Sequence, residues 1–237
     1  MMDYPEDGKI KNLSTDCVIF GFSDEKLKIL LIKLAAEPEK GKWALPGNII
    51  MRQENLDDAA KRVLKELTGL EKVFMEQVHT FGNVNRFPLF RIITVAYYAL
   101  INPDKYHPEA GGRTSDVRWF PIEDLPELAF DHNKILDYAL EKLQRKIRFE
   151  PIGFELLPKK FTLTQLQSLY EAINGVELDK RNFRRKILNM GMVIELDEYK
   201  EGVPYRPPQL YKFDKVKYDK LKETGFTFEL KVQDISD

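Results

Sequence analysis

Two groups of residues carry the types and spacings that chemistry needs. The first is Glu54, Arg62 and Glu66. Arg62 and Glu66 stand four apart, a spacing that pairs side chains on one helix face. Positions 63, 66 and 67 share such a face and read Val63, Glu66 and Leu67. Three carboxylates there would make an oxygen cage for a hard cation. One carboxylate between two aliphatic side chains cannot replace the hydration shell of Mg²⁺, which leaves little to polarise a phosphoryl oxygen or activate water. No catalytic residue, metal or cofactor is therefore expected. The second group is Lys180, Arg181, Asn182, Arg184, Arg185 and Lys186. Phe183 and Ile187, four apart and joined by Leu188, mark the buried side of a helix and turn the charges outward. Arginines placed this way read guanine edges or clamp phosphates, as a DNA recognition helix does.

The first group is positioned by residues 45–70, LPGNIIMRQENLDDAAKRVLKELTGL. This stretch reads as a turn, a short strand, a loop and a helix. Asn55 is expected to cap the helix, with Asp58 as its reciprocal partner. Leu56, Ala59, Ala60, Val63, Leu64 and Leu67 form its apolar face, and Gly69 supplies the left-handed end. Ahead of it, residues 18–22 and 28–34 read as strands around the turn Ser23-Asp24-Glu25-Lys26, with residues 1–12 polar and loose. Behind it, strands are expected at 73–81, 90–101 and 116–122, and a helix over 132–148 capped by Asp131.

Pro151 and Gly153 punctuate the chain near residue 150, so we expect two domains, 1–150 and 151–237. The second opens with Thr162 and Gln165 as a capping box before LQSLYEAI, a helix ended at Asn174-Gly175. Asp179 caps the basic helix. MVIEL and QLYKF then form a two-stranded wing whose loop carries Arg206. Helix, turn, helix and hairpin is the order of a winged helix-turn-helix. Residues 224–232 alternate and suit either an edge strand or a disordered end, with no function assigned.

Composition narrows the class further. The chain has 237 residues, 43% of them hydrophobic, and a formal net charge of −1. Its single cysteine, Cys17, excludes a disulfide framework and suits a reducing cytoplasm. Cys17 lies in an apolar run and reads as a buried thiol. No signal peptide or membrane-spanning run is present. His79, His107 and His132 are too dispersed to suggest metal ligation.

Residues 45–70 resemble the Nudix box, the pyrophosphatase motif. Glu54, Arg62, Leu64, Glu66, Gly69 and Leu70 match it, and the preceding hairpin and W-x-L-P-G match its context. Asn48 replaces the first glycine, while Val63 and Leu67 replace two glutamates that, in the family, help hold Mg²⁺. The resemblance implies an α+β chain: a Nudix α/β/α sandwich with a mixed sheet, stripped of hydrolysis, followed by the winged helix-turn-helix. That combination is similar to the Nudix-related transcriptional regulators of the NrtR type, and EPIGFELLPKKFTLTQLQSLYEAI, DKRNFRRKI and RPPQLYKF also resemble the arabinose-responsive AraR relatives. The resemblance implies a homodimer on a palindromic operator and a small-molecule effector, either a sugar such as L-arabinose or an ADP-ribose-like NAD metabolite. DNA contacts would come from Thr164, Lys180, Arg181, Asn182, Arg184, Arg185, Lys186 and Arg206.

The resemblance places the effector in the old substrate cleft, between the box, residues 81–91 and the last strand-to-turn segment. Arg86 and Arg91 retain two arginines of a loop pattern whose aspartate is absent. Trp43, Phe81, Arg86, Arg91 and Glu66 are the expected ligand contacts. Tyr97 and Tyr98 lie on opposite faces of their strand, so at most one of them stacks on a ligand. The rival reading is an active Nudix pyrophosphatase, acting on ADP-ribose or a nucleoside diphosphate derivative, with an accessory domain.

Overall fold

The computed structural model describes residues 9–225 and 228–230, apart from 72, 203 and 205. The first part of the chain carries β1 (Lys9–Ser23), β2 (Lys26–Leu34), β3 (Trp43–Ala44), β4 (Gly47–Met51), α1 (Leu56–Thr68), β5 (Glu76–Phe81), β6 (Ile93–Ile101), β7 (Thr114–Pro121) and α2 (His132–Phe149). Two compact units divide the chain: Met1–Ser23 with Lys28–Lys142, and Asp24–Leu27 with Leu143–Asp237.

The sheet of the first unit runs β3-β2-β1-β6-β5, with β4 also paired to β1 and β7 to β2. It is mixed. β1 and β6 are parallel, from Leu13 opposite Ile93 to Gly21 opposite Ile101, whereas β4 runs antiparallel to β1 and β5 to β6. A strand at the centre of such a sheet is covered on both faces, which is why its sequence is a continuous apolar run. Cys17, Val18, Ile19 and Phe20 are all fully buried. The Cys17 thiol is the inert group expected from its setting, with a pKa driven far upward by burial. The expected turn after β1 is present, with Asp24 and Glu25 both at left-handed φ, 54° and 60°, as a tight two-residue hairpin loop requires.

α1 lies on this sheet through the spacing read from sequence. Ala60 and Leu64 join Cys17, Ile19, Val95 and Tyr97 in one cluster, and Val63 and Leu67 join Ile32, Ala44 and Ala129 in another. Each buried Val or Leu contributes about 1.5–3 kcal/mol. Gly69 ends the helix at φ 72°, its N–H donating to the Lys65 carbonyl. Two details differ from expectation. The Asn55 side chain makes no capping bond to the backbone; its Nδ2 donates to Asp58 Oδ2 at 3.1 Å. Leu56 is 37% exposed and stands outside the apolar face. β6 also begins at Ile93, after a loop in which the Phe90 ring packs on Phe87, 4.9 Å between centroids.

The second unit follows with α3 (Leu163–Asn174), α4 (Lys180–Asn189), β8 (Val193–Tyr199), β9 (Gln209–Phe213) and α5 (Lys215–Glu223). The capping box of α3 is complete: Gln165 N–H donates to Thr162 Oγ1 at 3.1 Å, and Thr162 N–H donates to Gln165 Oε1 at 2.9 Å. Gly175 ends the helix at φ 68°. Asp179 caps α4 by accepting the Asn182 N–H at 2.7 Å. β8 and β9 pair antiparallel, and Phe161 exchanges two backbone bonds with Tyr211 of β9, at 2.9 and 2.8 Å. α5 was not foreseen, because its mostly charged sequence carries no apolar stripe, although Asp214 does cap it by accepting the Lys217 N–H. The alternating tail lies partly outside the described residues, as do residues 1–8. Among the described residues no helix is long and apolar enough to cross a membrane.

Candidate effector pocket and nucleic-acid interface

The acids and arginine of the box form a closed staple. Arg62 Nε and Nη2 donate to the two Glu54 oxygens at 2.7 and 2.6 Å, Nη2 also reaches the Ile49 carbonyl at 3.0 Å, and Nη1 reaches Glu66 Oε2 at 2.9 Å. Glu54 Oε1 accepts the Met51 N–H as well, at 2.6 Å. Hydrogen bonding from Arg62 holds the Glu54 carboxyl below its ordinary range, against the upward push of burial. The staple fixes the loop before α1 to the helix. Val63 and Leu67 are 0% and 4% exposed. Both Glu54 oxygens are engaged and the neighbouring positions are buried hydrocarbon, so these residues do not fit the magnesium site that the Nudix fold implies. Among the described residues no group of three or more His, Cys, Asp or Glu side chains could hold a metal ion.

A cavity of about 200 Å³ opens beside the box. Two of the three expected segments line it, Gly47, Asn48 and Ile49 from the box and Arg86, Phe87 and Phe90 from the loop; in place of the last strand-to-turn segment come Phe130 and His132 at the start of α2. Asp16 and Ser14 of β1 complete it. Of the five expected contacts, Arg86 alone lines this cavity. Arg86 is 7% exposed, and its guanidinium is committed. Nε and Nη2 donate to Asp131 Oδ2 and Oδ1 at 3.1 and 2.8 Å, and Nη2 also reaches Asp16 Oδ2 at 3.2 Å. Asp131 and Asp16 thus supply the acidic partners that the loop pattern lacks.

His132 was not foreseen here, because a lone histidine carries no spacing signal. It is buried, and its Nδ1 accepts the Leu45 N–H at 3.0 Å, so the ring is neutral with its proton on Nε2. Nε2 stands 3.7 Å from Asp16 Oδ1. Burial pushes the imidazole pKa down, outweighing the opposite pull of Asp16 and Asp131. Phe130 adopts φ 58°, an uncommon left-handed conformation for a bulky residue.

The other expected contacts lie elsewhere. The Trp43 ring packs on Phe120 with a 4.7 Å centroid separation, near Lys33 and Arg118. Phe81 lines a separate depression with His79 and Tyr138. Arg91 Nη1 donates to the Asn83 carbonyl at 2.8 Å and braces its loop. Glu66 lies on the α1 surface, 46% exposed and paired to Arg62. Tyr97 and Tyr98 are both buried and bond Asp57 and Glu76, which is core packing with satisfied hydroxyls.

In the second unit, α4 buries Phe183 and Ile187 and presents Lys180, Arg181 and Arg185 to solvent. Arg185 Nη2 donates to Asn182 Oδ1 at 2.7 Å. Arg184, half-buried, donates from Nη2 to Thr164 Oγ1 at 3.0 Å, which ties the start of α3 to α4. Lys186 is half-buried too, and Arg206 is exposed in the β8–β9 loop. The first turn of α4 contains no acid. Cations at a helix start oppose the macrodipole, whose positive end favours anions. The Asp179 carboxylate at the N-cap is the acid that answers that end.

The comparisons agree with this geometry. A family model described as the NUDIX domain matches residues 11–141, and one described as the NrtR DNA-binding winged helix domain matches residues 153–213. The ADPR responsive transcriptional repressor NtrR of Acinetobacter baylyi is 38% identical over 221 residues, which is 92% of this chain and 86% of that protein. The crystal structure of Shewanella oneidensis NrtR complexed with a 27mer DNA has a TM-score of 0.72 at 29% identity, covering 92% of this chain and 99% of that one. The NUDIX domain of Shewanella oneidensis NrtR complexed with ADP ribose gives 0.53 at 34% identity, covering 60% of this chain and 94% of that one. A mixed-sheet Nudix domain followed by a winged helix, matched over nearly its whole length to such a repressor, places this chain in the NrtR family of transcriptional regulators.

Proposed function

We propose that this chain is a cytoplasmic transcriptional repressor that binds operator DNA through residues 151–237 and answers to ADP-ribose bound by residues 1–150. The observation that carries the reading is α4, whose N-terminal half exposes Lys180, Arg181 and Arg185 with no acid in its first turn. Thr164 and Arg184 brace that helix, and Arg206 extends the basic surface into the wing. Two copies related by a two-fold axis would meet a palindromic operator, their recognition helices about 34–36 Å apart. ADP-ribose is favoured over a sugar because the Acinetobacter relative is named for it and the Shewanella Nudix domain was solved with it. Neither comparison supports L-arabinose.

The Nudix unit is proposed to bind without turnover. Val63 and Leu67 belong to the core, and Arg62 occupies both Glu54 and Glu66. The effector acts by preferring one state of the protein, and its differential affinity sets the size of the effect. The test is selection of bound duplexes from a random pool by the purified chain, followed by binding of the selected duplex to Arg181→Ala/Arg185→Ala. Enrichment of a two-fold sequence, and loss of its binding by the variant, are expected. No enriched sequence, or unchanged binding by the variant, would overturn the reading.

A further inference from the structure

Leu188 does not sit where its apolar character would put it. The sequence groups it with Phe183 and Ile187 on the buried side of α4. Those two are 0% and 2% exposed, whereas Leu188 is 43% exposed. Helical phase explains the difference. Phe183 faces inward, its ring 5.7 Å from that of Tyr170 on α3. Arg181, Arg185 and Leu188 follow one another by four and three positions, so they rise along a single outward stripe. Lys180 and Asn189 are exposed beside it. Leu188 is the one exposed large apolar side chain of α4.

A leucine left in water does nothing for the fold, and a polar residue would serve the helix there as well. Its value appears when a partner covers the stripe. In the major groove the one apolar group at a base edge is the 5-methyl of thymine. Arginine cannot use that methyl; its donors match the two acceptors of guanine. Arg185 is restrained beside the stripe, because its Nη2 donates to Asn182 Oδ1 at 2.7 Å. Three helical residues rise about 4.5 Å, and neighbouring bases of a strand stand about 3.4 Å apart. Arg185 and Leu188 therefore reach the same or adjacent base pairs.

We propose that Leu188 is a specificity-determining residue of α4: it packs on the 5-methyl of a thymine in each operator half-site, beside the base pair that Arg185 addresses. The proposal rests on the reading above that α4 enters the operator.

The experiment is a thymine-to-deoxyuridine scan of the selected duplex, one position at a time in one half-site. Anisotropy reads the binding of the full chain and of Leu188→Ala. Deoxyuridine keeps the base pair and O4 and removes only the methyl. At one thymine the wild type should weaken roughly fourfold, the factor for one methyl-sized group no longer taken out of water. Leu188→Ala should bind the thymine and deoxyuridine duplexes equally, since either change removes the same contact. Its melting temperature should match wild type, because the position is exposed and alanine favours a helix. Should this variant fail to fold, Leu188→Gln, which keeps the length and loses the apolar tip, is read against the same two duplexes. A thymine–deoxyuridine gap that survives replacement of Leu188 would overturn the proposal. If no deoxyuridine position weakens the wild type, while Arg181→Ala/Arg185→Ala still abolishes binding, the methyl contact is wrong and α4 remains the reader. Should the arginine variant bind the duplex as wild type does, α4 is not the reader and both fall.

Discussion

At the scale of single residues, three arginines show how a shared type divides into different tasks. Arg62 and Arg86 are fasteners, each bonded to two carboxylates, whereas Arg181 meets solvent at the start of α4. Removing exposed charges from a DNA-binding surface lowers the number of counterions released. Lys180→Ala with Arg181→Ala should weaken operator binding and reduce the slope of log Kobs against log salt by about 2. Anisotropy titrations across a salt series measure this. Glu54 carries a pH signature. Its carboxyl is depressed in the folded state, chiefly by Arg62, so its stabilisation is present above the unfolded value of about 4.3 and is lost as pH falls below it. The stability difference between wild type and Glu54→Gln should therefore hold steady from pH 7 to about 5 and shrink below about 4 in denaturant titrations. His132 has the opposite charge type and the same sign. Burial depresses its folded pKa, so protonation favours the unfolded chain, and its contribution fades as pH falls through about 6.5.

At the scale of elements, α1 and α4 were legible for the same reason: each alternates buried and exposed positions at helical spacing between clear signals. Thr162 with Gln165 and Asp179 formed the caps read from sequence, because each cap is a contact within a few residues. Thr162→Ala should cost about 1 kcal/mol in thermal unfolding. The pocket was harder. The box and the 81–91 loop line the cavity as expected, but the last strand-to-turn segment does not; Asp16, Phe130 and His132 come from elsewhere, and nothing local brings Asp16 to Arg86, seventy positions away. Trp43 and Phe81 looked like stacking residues because aromatic type says nothing about which side of a strand faces a cavity. α1 also explains why restoring acids would not restore a magnesium site. Leu67 is packed with Ile32, Ala44 and Ala129. Leu67→Glu buries a carboxylate among hydrocarbon, which costs several kcal/mol. The variant should melt well below wild type in a thermal scan and release no AMP from ADP-ribose with Mg²⁺.

At the scale of the whole molecule, the proposal joins a Nudix unit that binds without cutting to a winged helix that carries the charge. Coupling between two such sites is reciprocal, so DNA must alter ADP-ribose affinity by the factor with which ADP-ribose alters DNA affinity. The most direct test is fluorescence anisotropy of the selected duplex bound to the full chain, titrated with ADP-ribose and, in parallel, with L-arabinose. A shift of roughly 5- to 150-fold in the duplex Kd with ADP-ribose, and none with the sugar, is expected. A duplex affinity indifferent to saturating ADP-ribose, or AMP accumulating in the titration, would contradict it.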